Sequence, residues 1–301
     1  MNSQFSEKFK NYFKNLIMRL STWIYRGLTN FIYLFRSQHP FQKRIMIFLY
    51  WLRIIFKYFT ISNIFKIKKE KIFGFEILSV NYYTLLFLFN EIFYKNEYLF
   101  RADNQSPVII DCGANIGFAS IYFKWLYPES TIYAFEPDKL SYELLKFNIE
   151  KNNLKNVFIF NSAISDFNGK IDLFNNAEPN TFLSRSTKRT SNFSEKVSVD
   201  SITLSSVIEN YHIERIDLIK MDIEGSEVEV INDLDKHNIL SKIDKFVIEY
   251  HHKINGQKSG LGDFLKIFEK HGFEYQIDAK NIPVNSENKY QDILLYIYKP
   301  N

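Results

Sequence analysis

The stretch VIIDCGANIGFAS, residues 108–120, decides how this chain is read. A run of β-forming residues reaches Asp111, glycines follow at Gly113 and Gly117, and a helical pattern begins. Open α/β sheets bind ligands at such turns, outside the carboxyl ends of the strands where the strand order reverses. The dinucleotide fingerprint is G-x-G-x-x-G, whose middle glycine lets the backbone approach a pyrophosphate. Here the middle position is Asn115 and no G-K-[ST] follows, so the loop is not built around phosphates.

Outward from this turn, apolar β-rich segments at 107–111, 131–136, 157–163, 216–221 and 245–250 predict strands. Amphipathic segments at 116–126, 139–152, 203–211, 226–239 and 262–271 predict helices between them. That alternation predicts parallel βαβ units with both sheet faces covered. Asp138 is the expected N-cap of the second helix, with Leu140, Leu144 and Phe147 on its apolar face. Near the end, FEYQIDA and DILLYIYK are strand candidates with too little chain between them for a crossover helix, which predicts an antiparallel strand. The polar segment 175–200 reads as a loop or hairpin on the functional rim.

A cationic ligand without phosphates suits the glycine turn. S-adenosylmethionine carries an adenosine, a sulfonium and an amino-acid tail, and needs an acid near its positive charges. Asp111 ends the first strand. Glu136, nineteen residues past Gly117, ends the second, where an acid accepts both ribose hydroxyls in dinucleotide sites. Asp166 follows the third and is assigned to the adenine amino group. The expected cofactor set is therefore Asp111, Gly113, Asn115, Gly117, Glu136 and Asp166.

The fourth strand reads IDLIKMDIEGSEVEVI. If it continues, Lys220, Asp222 and Glu224 share one face by the strand period of two. Such a cluster is expected to hold a substrate hydroxyl and take its proton. Glu227 falls in the first turn of the next helix, where an acid favours the dipole. The fifth strand ends FVIEYHH, with Glu249 and His251 on one face, either of them able to meet Asp222. Histidine titrates near neutrality and suits a base role. The expected catalytic set is Asp222, Lys220, Glu224, His251 and Glu249. Asp222, Glu224, Glu249 and His251 are also hard-cation donors, but no metal is assigned.

The single cysteine, Cys112, excludes a disulfide framework and a cysteine-built metal site, and suits a reducing compartment. Charge is unevenly distributed. Residues 1–71 carry fourteen Lys/Arg against two Asp/Glu, a balance of +12, and the remainder carries 24 against 32, a balance of −8. The expected organisation is a basic, aromatic-rich helical extension over 1–71 and a catalytic domain over 72–301. Arg19, Arg26, Arg36, Arg44, Arg53 and Lys57 interrupt every apolar run in residues 5–65, so no transmembrane span is expected. Peripheral contact with an anionic membrane through residues 1–65 is expected instead, with Ile45, Leu49, Leu52 and Phe56 on one helical face. A helical cap on the body is the competing reading. His39-Pro40 is expected to divide the region into two helices.

Taken together, VIIDCGANIGFAS, FEPD, AISDFNG, LIKMDIEGSE and IEYHH resemble the FkbM family of class I S-adenosylmethionine-dependent methyltransferases over roughly residues 75–300. The resemblance implies a Rossmann-like, mostly parallel seven-stranded sheet with a reversed C-terminal strand. It also implies O-methyl transfer to a small-molecule or glycan hydroxyl, typically of a sugar in a glycan, glycolipid or nucleotide sugar. The expected setting is cytoplasmic, at the inner membrane face, with no nucleic-acid partner. Alternatives from other classes are an RNA 2′-O-methyltransferase, a nicotinamide-dependent oxidoreductase with an atypical glycine loop, and a non-catalytic scaffold.

Overall fold

A computed structural model describes residues 39–62, 65–176, 185–186, 193–252, 260–279 and 291–300, with isolated positions 14, 21, 25 and 34. The chain divides into two compact units, Met1–Leu99 and Phe100–Asn301. The contact boundary thus lies downstream of the charge boundary at 71/72.

In the first unit, helix α1 (Phe41–Lys57) begins directly after Pro40 and continues through a wider turn to Ser62. Whether another helix precedes His39-Pro40 lies outside the described residues. A hairpin of β1 (Lys69–Ile72) and β2 (Phe75–Leu78) follows, then α2 (Tyr82–Leu88) with a wider turn to Tyr94. Ile47, Trp51, Ile54 and Ile55 form the buried face of α1. The row Ile45, Leu49, Leu52 and Phe56 is exposed, from 39% at Ile45 to 64% at Phe56. Although charges break up its sequence, Phe41–Ser62 is long and apolar enough, by length and composition, to cross a membrane.

The second unit is built on a seven-stranded sheet in the order β12-β13-β11-β10-β3-β4-β5. These strands are β3 (Val108–Cys112), β4 (Thr131–Phe135), β5 (Val157–Phe160), β10 (Leu218–Met221), β11 (Lys245–His252), β12 (Glu274–Ala279) and β13 (Gln291–Tyr298). Neighbours from β11 through β10, β3 and β4 to β5 pair in parallel, while β13 runs antiparallel to β11 and β12. The reversed strand is the expected one. Helices α3 (Phe118–Leu126) and α4 (Lys139–Lys151) connect the first strands; α5 (Leu204–Asn210), α6 (Glu227–Lys236) and α7 (Leu261–Lys270) belong to the second half. One sheet face packs Ile110, Ile219, Phe246 and Ile248 against Val207, Ile208, Val230, Leu234, Phe264 and Phe268 from α5, α6 and α7.

Asp138 caps α4, accepting from the Ser141 amide at 2.8 Å. Its buried face is Ser141, Leu145, Asn148 and Ile149, whereas Leu140 is exposed. The expected face is one position off, because Leu145 is drawn onto Gly117. A Cβ at Gly117 would meet Leu145 Cδ1 at 2.7 Å.

The strand expected over 157–163 is two strands. β5 stops at Phe160, and Ala163–Ser165 (β6) enters a separate four-stranded sheet with β7 (Gly169–Asn176), β8 (Arg185–Ser186) and β9 (Phe193–Thr203). A continuous apolar run conceals this bend. The described part of segment 175–200 belongs to the β7–β9 pairing; its remaining residues lie outside the description.

Candidate functional site

Strand order turns back at β3, which lies between β4 and β10. The carboxyl end of β3 is therefore the crevice where ligands bind in such sheets. Gly113 and Gly117 have φ of +80° and +81°, and Asn115 between them has +50°. The position where the dinucleotide fingerprint has its middle glycine thus also adopts the left-handed conformation, which asparagine tolerates. The Asn115 side chain accepts from the Ile116 amide at 2.8 Å. Gly113 and Ala114 donate their amides to the Phe135 carbonyl at 3.0 and 2.9 Å, tying the loop to the end of β4. A Cβ at Gly113 would stand 1.8 Å from the Asp222 carbonyl oxygen, so only glycine fits against the end of β10.

Beside the loop is a cavity of about 670 Å³, open mouth included. Its lining combines Gly113 and Asn115 with Phe135, Pro137, Ile164 and Leu173, and with four acids, Glu136, Asp138, Asp222 and Glu224. No Lys, Arg or His contributes to that lining among the described residues. Glu136 is nearly buried, and its two oxygens accept from the Asn115 and Asp138 amides, each at 2.8 Å.

Asp111 does not reach this cavity. It is fully buried, accepts from Ser120 Oγ at 2.7 Å and pairs with Lys220 at 3.3 Å. The two are direct register partners on β3 and β10. Lys220 also donates to the Cys112 and Gly113 carbonyls at 3.2 and 2.6 Å. Lys220 therefore braces the glycine loop, where it was expected to join Asp222 and Glu224. The expected alternation ends because β10 stops at Met221, and Asp222–Ser226 form a turn with Glu224 left-handed at φ +54°. Burial first, then the Asp111 charge, push the Cys112 thiol up, in keeping with a small packing residue.

Asp166 also lies elsewhere. It lines a second cavity with Phe167, Asn168 and Thr203, and receives a hydrogen bond from Ser165 Oγ at 3.2 Å. The bend after β5 places Ser162, Ala163 and Ile164 at the main cavity instead. Asn161 holds that bend, donating to the Glu136 and Pro137 carbonyls at 2.9 and 3.1 Å.

Three groups from the expected catalytic set converge. His251 Nε2 lies 3.3 Å from Glu224 Oε2 and 3.9 Å from Asp222 Oδ1. The ligand atoms of Asp222, Glu224 and His251 all fall within 4.8 Å of one another; Glu249 is not part of this set. Behind the ring, Glu227 Oε1 accepts from His251 Nδ1 at 2.7 Å. Burial alone would push the imidazole down, but the charge and hydrogen bond of Glu227, with Glu224 and Asp222, hold it well above the usual histidine range. The surrounding carboxylates therefore favour the imidazolium over the free base expected from its type.

The strand order, the single reversed strand and the acid-lined crevice at the turning point define a class I methyltransferase fold. The chain belongs to the FkbM methyltransferase domain family, whose model matches residues 111–275. It is 32% identical over 180 residues to the methyltransferase sdnD of Sordaria araneosa, covering 50% of this chain and 70% of that one. It is 32% identical over 142 residues to the 2-O-methyltransferase NoeI of Sinorhizobium fredii, covering 43% and 58%. To the 31-O-demethyl-FK506 methyltransferase FkbM of Streptomyces tacrolimicus it is 25% identical over 229 residues, covering 66% and 86%. The protein is a methyltransferase.

Proposed function

We propose that the protein transfers a methyl group from S-adenosylmethionine to a hydroxyl oxygen of a sugar in a glycan or glycolipid. The observation that carries this reading is the cavity wall of four carboxylates without a basic residue among those described. Such a wall suits a ligand bearing positive charge and repels phosphates. It therefore supports S-adenosylmethionine over a nicotinamide dinucleotide, and disfavours RNA and nucleotide sugars as acceptors. Two relatives are named as O-methyltransferases or for an O-demethyl substrate, which supports oxygen as the receiving atom.

Glu136, anchored through the Asn115 and Asp138 amides, is assigned to the ribose hydroxyls, and the Gly113–Gly117 backbone to close approach. When bound, the cofactor supplies a methyl group already activated by its sulfonium. The chain's own work is to place the acceptor oxygen in line and remove its proton. Asp222, on the cavity wall, is assigned to receive that proton, with Glu224 and the His251 imidazolium holding it in place. Asp111 and Lys220 shape the loop from behind.

Calorimetry with S-adenosylmethionine and NADH tests the reading. Binding of the first alone is expected, lost in Glu136→Ala; NADH binding without S-adenosylmethionine binding overturns it. Label from methyl-tritiated cofactor is expected in neutral glycans or glycolipids and not in RNA.

The proposal includes peripheral contact with an anionic membrane through the N-terminal segment. Supporting it are the +12 balance over residues 1–71 and the exposed apolar row on α1.

A further inference from the structure

Glu227 opens α6 and is as buried as the ring it touches, each side chain 2% exposed. Its Oε1 accepts from His251 Nδ1 at 2.7 Å and from the Gly225 amide at 3.0 Å. The ring's other nitrogen faces Glu224 and Asp222. Those two carboxylates line the cavity; Glu227 and His251 stand behind them. The cluster joins three pieces of chain: the turn after β10, the first turn of α6, and β11.

Two carboxylates this close repel each other, and repulsion favours swinging apart or taking up a proton. A cation between them removes that tendency. A buried imidazole keeps its positive charge only when an acid is fixed against it, because burial disfavours the charged form. An acid bonded to Nδ1 also fixes which ring edge points forward, as in hydrolytic triads.

We propose that Glu227 is a positioning residue: through Nδ1 it holds the His251 ring so that Nε2 keeps Asp222 and Glu224 aimed into the cavity. This role rests on the methyl-transfer reading of the site. Among the described residues, the charged groups that meet the ring include Glu227 from α6 and Asp222 and Glu224 from the turn.

Ring nitrogen and proton NMR of the full chain tests it, with His251→Gln assigning the signal. In the unsubstituted protein at pH 7, both ring nitrogens should carry protons, with the Nδ1 proton shifted far downfield. In Glu227→Gln, which keeps the shape and loses the charge, the ring should titrate at least about one pH unit lower. Glu227→Asp should restore part of that difference. Glu227→Gln should bind S-adenosylhomocysteine within about threefold of the unsubstituted chain, as expected of a group outside the cofactor contacts. A neutral ring at pH 7 in the unsubstituted chain overturns the proposal without any variant having to fold. So does an unchanged titration in Glu227→Gln. Failure of the unsubstituted chain to bind S-adenosylhomocysteine would instead count against the methyl-transfer reading and leave the ring signals as they are.

Discussion

At the scale of single residues, the glycine turn is where the chain tolerates least. Gly113→Ala places a Cβ on the Asp222 carbonyl and strains a left-handed position, so it should abolish cofactor binding in calorimetry. Asp111→Ala leaves the buried Lys220 ammonium without its carboxylate, at a cost of about 3–5 kcal/mol. Thermal unfolding should show that loss, and Asp111→Leu combined with Lys220→Met should recover most of it; an additive double variant would refute the pairing. In the first unit, His39 is buried and bonded to Asn96 Oδ1 at 2.7 Å, and burial chiefly lowers it from 6.5 to about 4. Because the unfolded chain binds this proton first, the stability is complete above pH 6.5. It is lost as pH falls toward 4, amounting to about 3 kcal/mol in all. Unfolding of that unit at pH 7 and pH 4 should show the difference, and His39→Gln should flatten it. The residue types at Gly113, Gly117 and Glu136 are legible in the sequence because backbone conformation and strand ends leave signatures there. The partner of Asp111 is not, since it depends on which strand becomes the neighbour of β3.

At the scale of elements, strands and helices of the second unit follow their patterns to within a few residues, because burial on both faces imposes apolar runs and amphipathic stripes. The exceptions share a cause. β10 ends at Met221, the last residue of its predicted segment, so the alternation expected to carry on to Asp222 and Glu224 stops where the chain turns toward Gly225, and β5 bends away at Asn161 to feed a second sheet. Neither departure breaks the apolar pattern, so neither shows in it. In the first unit, Glu70 on β1 is nearly buried and gathers Arg53 at 2.8 Å, Lys57 at 2.9 Å and Tyr82 Oη at 2.6 Å. These two charges looked like interruptions of an apolar helix; they are the attachment of α1 to the hairpin. Burial raises Glu70, but the bonds and charges of its partners prevail and hold its carboxyl below the usual range. Glu70→Gln should destabilise the first unit by roughly 2 kcal/mol, after allowance for the partial exposure of Arg53 and Lys57. Limited proteolysis of residues 41–94 should quicken accordingly; unchanged cleavage would refute the attachment.

At the scale of the whole molecule, the proposed membrane contact of the basic N-terminal segment is open to test. The full chain should float with anionic vesicles and not with neutral ones. Leu49→Glu with Phe56→Glu on the exposed row should reduce flotation at least about tenfold, since both apolar contact and charge balance are lost. Flotation unchanged by these substitutions would mean that this row does not meet lipid. The sequence by itself determined the sheet with its reversed strand, the glycine turn, the acid Glu136 at the end of β4 and the family, because each rests on local periodicity or on residues close together in the chain. Only the tertiary structure decided that Asp111 and Lys220 brace the loop, that Asp166 serves a different cavity, and that Asp222, Glu224, Glu227 and His251 form one cluster. The reason is physical. Those roles depend on strand order and on where a strand stops, and both follow from packing among segments a hundred residues apart.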